Sequence, residues 1–111
     1  MRISLRILST FTEKAWGLMF SKSVKTPLLF VFESSGRHGI HSFFCPPFDA
    51  VFLDENFRVV DRLAVRTPRF WIAPKSNARY LIEAAPGFAK RLKEGQAVRV
   101  SLSGAWLDLG S

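Results

Sequence analysis

The residues able to do chemistry are concentrated in one stretch of the sequence, residues 38–54. At spacings of three or four along it stand His38, His41, Cys45 and Asp49. Imidazole, thiolate and carboxylate groups are the usual ligands of zinc, and they also act as nucleophiles and general bases in enzymes. The stretch therefore raises three possibilities: a metal site, a reactive cysteine and a carboxylate-based active site.

The geometry of an extended chain disfavours the metal site. On a strand, residues four apart share a face but lie roughly 13 Å from each other. Zinc needs ligands about 2 Å from a common centre. His38 and His41 are three apart and would point to opposite faces. Since only a bend at Gly39 or at Pro46 could gather the ligands, we expect no metal and no other cofactor.

Catalysis by Cys45 is disfavoured as well. A nucleophilic cysteine needs a lowered pKa and a base within reach, and the nearest candidate, His41, is separated from it by the same strand spacing. We expect Cys45 to be a small apolar side chain packed at a bend. Asp49 and Asp54 lie on opposite faces of one predicted strand, which does not suit two acids flanking a bond. The sequence favours a protein that is not an enzyme; an unrecognised hydrolase stays open as a third possibility, because catalytic triads are spatial.

Asp49 is the acid that most needs an explanation, because it lies inside an apolar run where an unpaired charge would be costly. In a structural role, its carboxylate would accept backbone N–H groups at the bend of Pro46 and Pro47, or pair with an arginine. In a functional role, it would face a ligand from the mouth of a barrel. We favour the structural role and keep Asp49 among the candidate site residues.

The elements that position these residues are predicted to be short strands. Alternating apolar and polar residues, or a continuous apolar run, predict strands at residues 3–7, 28–32, 40–44, 48–53, 57–66, 78–84 and 98–102. The continuous run at 28–32 indicates a strand buried on both faces. Pro46 and Pro47 must stop or bend the chain, because neither has an N–H group to donate to a sheet.

Two short helices complete the predicted fold. A capping-box spacing of Thr10 and Glu13 predicts one helix over residues 11–16, and a Pro-Gly pair begins another over residues 86–92. The tail, residues 104–111, is expected to dock on the rest. We therefore predict the α+β class, mostly β, with a small curled or barrel-like mixed or antiparallel sheet of about seven strands.

Length and composition place the chain among small globular proteins. With 111 residues, 48% of them hydrophobic, it has room for a single β-rich domain over residues 1–111. One cysteine excludes an internal disulfide and is typical of an intracellular protein. The longest apolar run, 28–32, is far shorter than the roughly 20 residues of a membrane-spanning helix, and Arg6 interrupts the apolar start that a signal peptide would need. We expect a soluble, cytoplasmic monomer that does not bind membranes.

Several motifs, in their order and spacing, resemble a known family. They lie at residues 13–20, which contain Gly-Leu-Met, at 29–32, at 48–54, which contain Phe-Leu-Asp, at 59–60 and at 80–87. Over residues 3–102 the chain is similar to the uncharacterised domain-of-unknown-function family 192. The resemblance implies a compact β-rich barrel found in bacteria and archaea, with no established activity.

A ligand site is expected in a groove between the Pro46–Pro47 segment and the loop bounded by Pro68 and Pro74. The candidate lining residues are aromatic or polar: His41, Phe44, Asp49, Phe70 and Trp71. Apolar walls with a few orienting polar groups are typical of small-molecule sites. We therefore predict a small ligand-binding or protein-interaction module, whose partner is a small molecule or another protein.

Nucleic-acid binding is the alternative, because a net charge of +7 favours anionic partners. Arginines line one face of the predicted sheet and the loop after it: Arg58, Arg62, Arg66, Arg69 and Arg79. Interleaved with aromatic residues, such a stripe could track phosphates, as in proteins that bind single strands. A solvated edge strand uses arginines in the same way for solubility, and the sequence carries no recognised nucleic-acid motif.

Overall fold

The structure, a computed structural model, describes residues 2–8, 26–42, 45–69 and 71–109. Within these ranges it is built from short strands and a single 3₁₀ turn. The strands are β1 Arg2–Ser4, β2 Arg6–Leu8, β3 Leu28–Gly36, β4 Phe48–Leu53, β5 Val59–Val65, β6 Ala78–Ala84, β7 Arg99–Ser101 and β8 Trp106–Asp108, and the 3₁₀ turn is Phe88–Arg91. They form a three-stranded sheet in the order β1-β8-β7 and a five-stranded sheet in the order β2-β3-β6-β4-β5.

The N-terminal strand is shared between the two sheets. β1 pairs antiparallel with β8, whereas β2 pairs parallel with β3. Between them Leu5 is buried, and its N–H donates to the carbonyl of Ala105 at 2.8 Å. The single strand predicted over residues 3–7 is therefore two short strands, because the chain changes sheets at Leu5.

The centre of the five-stranded sheet is buried on both faces. Every residue of β4 is buried, and successive side chains point to opposite sides. Val51 and Leu53 pack toward the three-stranded sheet and the 3₁₀ turn, on what we call the Val51 face. Phe48 and Phe52 belong to a second core on the other side, the Phe48 face. The apolar run 28–32 divides between the two cores in the same way, which confirms its predicted burial on both faces.

The prediction of a mostly β protein is confirmed, but two of its details are wrong. The sheets do not close into a barrel, because β2 and β5, the edge strands of the five-stranded sheet, do not pair with each other. The second predicted helix, residues 86–92, is only the 3₁₀ turn Phe88–Arg91, since Leu92 is already extended with φ −127°. The first predicted helix, residues 11–16, lies outside the described residues.

Two predicted segments differ from their expected form. Of the candidate strand 40–44, the described part contributes only an antiparallel bridge between Ile40 and Ile72. The tail, expected only to dock, forms β8 and supplies the central strand of the three-stranded sheet. In the described ranges no helix is long and apolar enough to span a membrane.

Candidate functional site

The structure disperses the residues that the sequence places in one stretch. Cys45 packs against the core of the Phe48 face, whereas Asp49, two residues before Val51 on β4, lies on the opposite, Val51 face. His41 is exposed, and the ring of His38 stacks on another aromatic ring at a centroid distance of 4.6 Å. Among the residues that the structure describes, no three His, Cys, Asp or Glu side chains are placed to hold a metal ion.

Asp49 is held by hydrogen bonds from two parts of the chain. Its Oδ1 lies 2.8 Å from Nη2 of Arg66, which follows β5. Its Oδ2 accepts the N–H groups of Gly87 and Ala89, both at 2.9 Å. The backbone donors thus come from the 3₁₀ turn, where Gly87 has a φ of 101° that favours glycine, and not from the bend at Pro46. Asp49 is 2% exposed and uses both oxygens, so it fastens the 3₁₀ turn to β4.

The two segments expected to enclose a ligand groove are hydrogen-bonded to each other. Ile40 and Ile72 exchange N–H···O bonds of 2.8 and 2.7 Å. The N–H of buried Ser42 donates to the carbonyl of Arg69 at 3.0 Å. In return, the Ser42 Oγ accepts the N–H of Arg69 at 2.6 Å. At these points the segments meet edge to edge.

The predicted ligand-binding residues are placed in different parts of the molecule. His41 and Trp71 are both exposed and stand beside the bridge between the two segments. Asp49 is buried on the Val51 face, where the 3₁₀ turn covers it. Phe44 and Phe70 lie outside the described residues. Of the three described residues of this set, His41 and Trp71 therefore lie close together, and Asp49 lies elsewhere.

Most arginines of the predicted basic stripe donate to carbonyl groups of the protein itself. The pairs, with the arginine first, are Arg58 and Gly95 at 3.1 Å, Arg62 and Ala89 at 3.1 Å, Arg62 and Leu92, Arg66 and Phe48 at 2.9 Å, and Arg79 and Phe32. Arg62 thereby donates to two carbonyl groups at the end of the 3₁₀ turn, of which that of Ala89 also accepts the N–H of Leu92 at 3.2 Å. The side chain of Arg69 makes no hydrogen bond or ion pair within the described part of the chain. The stripe is thus less available to phosphate groups than the sequence suggests.

Sequence reasoning missed Glu83, the most unusual acid in the structure. It lies on β6, directly opposite Leu28 of β3 and Ala50 of β4, and it is 5% exposed. Among the residues that the structure describes, none donates a hydrogen bond to its carboxyl group or forms an ion pair with it. Burial raises the pKa of Glu83 from 4.5 to about 8.

Cys45 is electrostatically coupled to Glu83. Burial, followed by the charge of Glu83, raises the pKa of the Cys45 thiol to about 11. At pH 7 both groups are therefore mainly neutral, one as a carboxylic acid and the other as a thiol. A neutral carboxyl group can donate one hydrogen bond and accept others, whereas a thiol with a raised pKa is a poor nucleophile. This arrangement suits binding better than covalent catalysis.

A signal for Glu83 is present in the sequence. Arg79, Leu81 and Glu83 share one face of β6, and Arg79 makes that face look solvated. Leu81 is fully buried, however, because β6 lies between β3 and β4 at the centre of the sheet. Leu81, two residues before Glu83 on the same face, is therefore the sequence feature that indicates burial of Glu83 as well.

Two surface clefts lie apart from these groups. One, of about 300 Å³, is lined by Ile3, Pro27, Ala84, Ala85, Pro86, Gly87, Phe88 and Arg91. The other, of about 750 Å³, is lined by Phe57, Val98, Arg99, Val100, Ser101, Leu102, Ser103 and Trp106. Neither contains Glu83 or a residue of the predicted ligand site.

Similar sequences occur in archaeal proteins of the group called UPF0127. A UPF0127 protein of Pyrococcus horikoshii is 40% identical over 92 residues, which cover 80% of this chain and 78% of that protein. A UPF0127 protein of Thermococcus sibiricus is 37% identical over 86 residues, covering 75% of this chain and 55% of that protein.

Two crystal structures share the fold. A protein of unknown function from Novosphingobium aromaticivorans has a TM-score of 0.74 at 21% identity, covering 82% of this chain and 70% of that one. A protein of Sinorhizobium meliloti, provisionally described as a transcription regulator, has a TM-score of 0.75 at 18% identity, covering 84% and 78%. At these identities the likeness shows the fold alone.

The family DUF192, described as Uncharacterized ACR, matches residues 1–100. This match confirms the resemblance seen in the sequence motifs, and the archaeal relatives carry the name of the same uncharacterised group. The chain therefore belongs to the DUF192 family, whose function is not established.

Proposed function

We propose that this protein is a binding module without catalytic activity, with its site at the carboxyl group of Glu83 on the Phe48 face. The observation that carries the proposal is a carboxyl group that is 5% exposed and receives no hydrogen bond from the described residues. Acids with strongly altered environments of this kind are enriched at functional sites.

The surroundings of Glu83 favour a small ligand with an apolar body. Leu28 and Ala50 flank it across the strands, and Leu81 precedes it on the same face. Both Ala50 and Cys45 have small side chains, and the charge of Glu83 acts on the Cys45 thiol. Apolar walls around one polar group are typical of small-molecule sites. The ligand class is therefore a small molecule that carries one group able to hydrogen-bond with a carboxylic acid.

The groups near Glu83 support binding over catalysis. The raised pKa of Cys45, about 11, leaves little thiolate at neutral pH. Asp49, which could have supplied a second acid, lies on the opposite face with both oxygens engaged. Among the described residues, Glu83 therefore has neither a reactive nucleophile nor a second acid beside it, which is a poor basis for hydrolysis.

A thermal-shift panel of small amides, alcohols and alkylamines tests the proposal with Glu83→Gln, which preserves side-chain size. Compounds that bind the site should raise the Tm of the unaltered protein and lose this effect in Glu83→Gln. Glu33→Gln is the matched control, because Glu33 is an exposed glutamate on neighbouring β3. Equal shifts in the Glu83→Gln variant would place the binding site elsewhere.

Titration of the Glu83 carboxyl by NMR is a second test that needs no ligand. We expect a pKa well above the usual value, because no described residue offsets the burial of the charge. A pKa near 4.5 would show that a basic group of this chain already pairs with Glu83, contrary to the proposed function.

A further inference from the structure

Trp71 is the most exposed large apolar side chain in the described part of the protein. It is 63% exposed, and the next is Leu102 at 41%. Tryptophan is enriched at binding interfaces, where its apolar ring contacts the partner and its polar edge reaches water. The proposed ligand site at Glu83 makes no use of it.

Trp71 is held in place by the backbone beneath it. A Cβ atom on Gly39 would lie only 2.2 Å from Cζ2 of the indole, so the six-membered ring sits directly against this glycine. The supporting segments are joined by the paired hydrogen bonds between Ile40 and Ile72 and by the contact of Ser42 with Arg69. One side of the ring is thus covered by backbone, and the remainder faces solvent. Such preorganisation lowers the entropy lost when a flat partner stacks on the ring.

Two exposed arginines lie on the same two segments as Trp71 and Gly39. Arg69, two residues before Trp71, is exposed, and its side chain bonds to none of the described residues. Arg37, two residues before Gly39, is exposed and donates through Nε to the carbonyl of Pro74 at 2.9 Å. That bond fixes the arginine beside the loop and uses one of its five N–H donors.

We propose that this surface binds single-stranded nucleic acid, with a base stacked on Trp71 and phosphates contacted by Arg37 and Arg69. Stacking requires the face of an unpaired base, which a single strand offers and a duplex does not. The net charge of +7 adds attraction for a polyanion. A nucleic acid fits better than a protein partner, because the exposed described residues on the two segments beside Trp71 include the basic Arg37 and Arg69 and the polar His41.

The Trp71 surface differs from the arginine stripe that the sequence predicts as the nucleic-acid site. Arg58, Arg62, Arg66 and Arg79 donate to carbonyl groups of the protein. Arg69 is the one residue common to the stripe and to the Trp71 surface. The surface shares no proposed contact residue with the site at Glu83, so variants at Trp71 and at Glu83 test the two proposals separately.

Binding of the full-length chain to fluorescein-labelled oligothymidine, followed by anisotropy at low salt, tests the proposal. We expect Trp71→Ala to weaken binding about tenfold and Trp71→Phe to retain most of it, because phenylalanine still stacks. Arg69→Gln should weaken binding and lower the slope of log affinity against log salt by about 0.7. Leu102→Ala and Arg99→Gln, which alter an exposed apolar side chain and an exposed arginine elsewhere, should change little.

Three results would overturn the proposal. The first is an unchanged affinity in Trp71→Ala, with thermal denaturation showing that the variant is folded. The second is an equal loss in Leu102→Ala, which would mean that the contact is not specific to this surface. The third is the absence of oligothymidine binding at about 50 mM salt, which would leave the exposed tryptophan as a contact for protein.

Discussion

The guanidinium of Arg66 lies 2.8 Å from the carboxylate of Asp49, although Asp49 is almost completely buried and the arginine side chain is 44% exposed. The arginine therefore shields the buried carboxylate from the solvent side, while the 3₁₀ turn supplies two N–H donors to the other oxygen. Three elements, namely β4, the end of β5 and the 3₁₀ turn, meet at this one carboxylate. The role of Asp49 is therefore structural, because its carboxylate holds these three elements together.

Asp49→Asn should destabilise the protein by about 2–4 kcal/mol, because the substitution replaces a buried carboxylate that accepts charge-assisted hydrogen bonds. Urea denaturation measures the loss. Arg66→Gln is the control, with a smaller expected loss of about 1 kcal/mol, because that side chain is partly solvated. Unchanged stability in Asp49→Asn would contradict the structural role.

Glu83 should make the stability of the protein fall as the pH rises. Its pKa in the folded protein, about 8, is above the usual 4.5 expected of the unfolded chain. Between these pH values the folded state holds a proton that the unfolded state has released. The free energy of unfolding should therefore decrease with increasing pH, by at most about 1.4 kcal/mol per pH unit.

Urea denaturation at several pH values between 5 and 8 checks this dependence against Glu83→Gln. The glutamine cannot ionise, so this contribution to the pH dependence should vanish in the variant. Glu33→Gln, a substitution at an exposed position, should keep the contribution of Glu83 to the pH dependence. Identical pH profiles for the unaltered protein and Glu83→Gln would mean that Glu83 ionises normally in the folded state.

Cys45 should react slowly with iodoacetamide at pH 8 while the protein is folded. Its raised pKa, about 11, keeps the thiol protonated, so we expect a rate at least about tenfold below that of an ordinary cysteine. The same protein in concentrated urea provides the control, because unfolding restores the usual thiol pKa. Equal rates in the folded and unfolded protein would refute the expectation.

Arg62→Gln should separate a structural arginine from a nucleic-acid contact. Arg62 donates to carbonyl groups of Ala89 and Leu92 at the end of the 3₁₀ turn, so its loss should cost about 1 kcal/mol of stability. Affinity for oligothymidine should stay nearly unchanged. A loss of affinity as large as that of Arg69→Gln would return the binding surface to the arginine stripe.

Gly39→Ala should displace the ring of Trp71 without unfolding the protein. The new methyl group would collide with the indole, but the exposed ring can swing away, so we expect a loss of stability below about 1 kcal/mol. Oligothymidine affinity should fall nearly as far as in Trp71→Ala. In the double variant of Gly39→Ala and Trp71→Ala, the glycine substitution should reduce the affinity hardly further, because the indole that it displaces is absent. Fully additive losses of affinity would show that Gly39→Ala does not act through Trp71.

Much of the strand content could be predicted from the sequence. The predicted bounds of β4 and β6 coincide with Phe48–Leu53 and Ala78–Ala84, because alternation and flanking turn residues are local properties of the chain. The need of Asp49 for buried partners followed from its apolar neighbours. The division of residues 3–7 between two sheets could not be predicted from the sequence, because it depends on pairing with the distant strands β8 and β3.

The sequence by itself determined where strands form and which acid in residues 38–54 required a partner. Only the tertiary structure decided that Arg66 and the 3₁₀ turn would be that partner, 17 and about 40 residues away. It also decided that Glu83 would be buried, through the register that places it between Leu28 and Ala50. A local pattern specifies which side chains share a face of a strand, whereas the burial of that face depends on which distant strands and loops come to cover it.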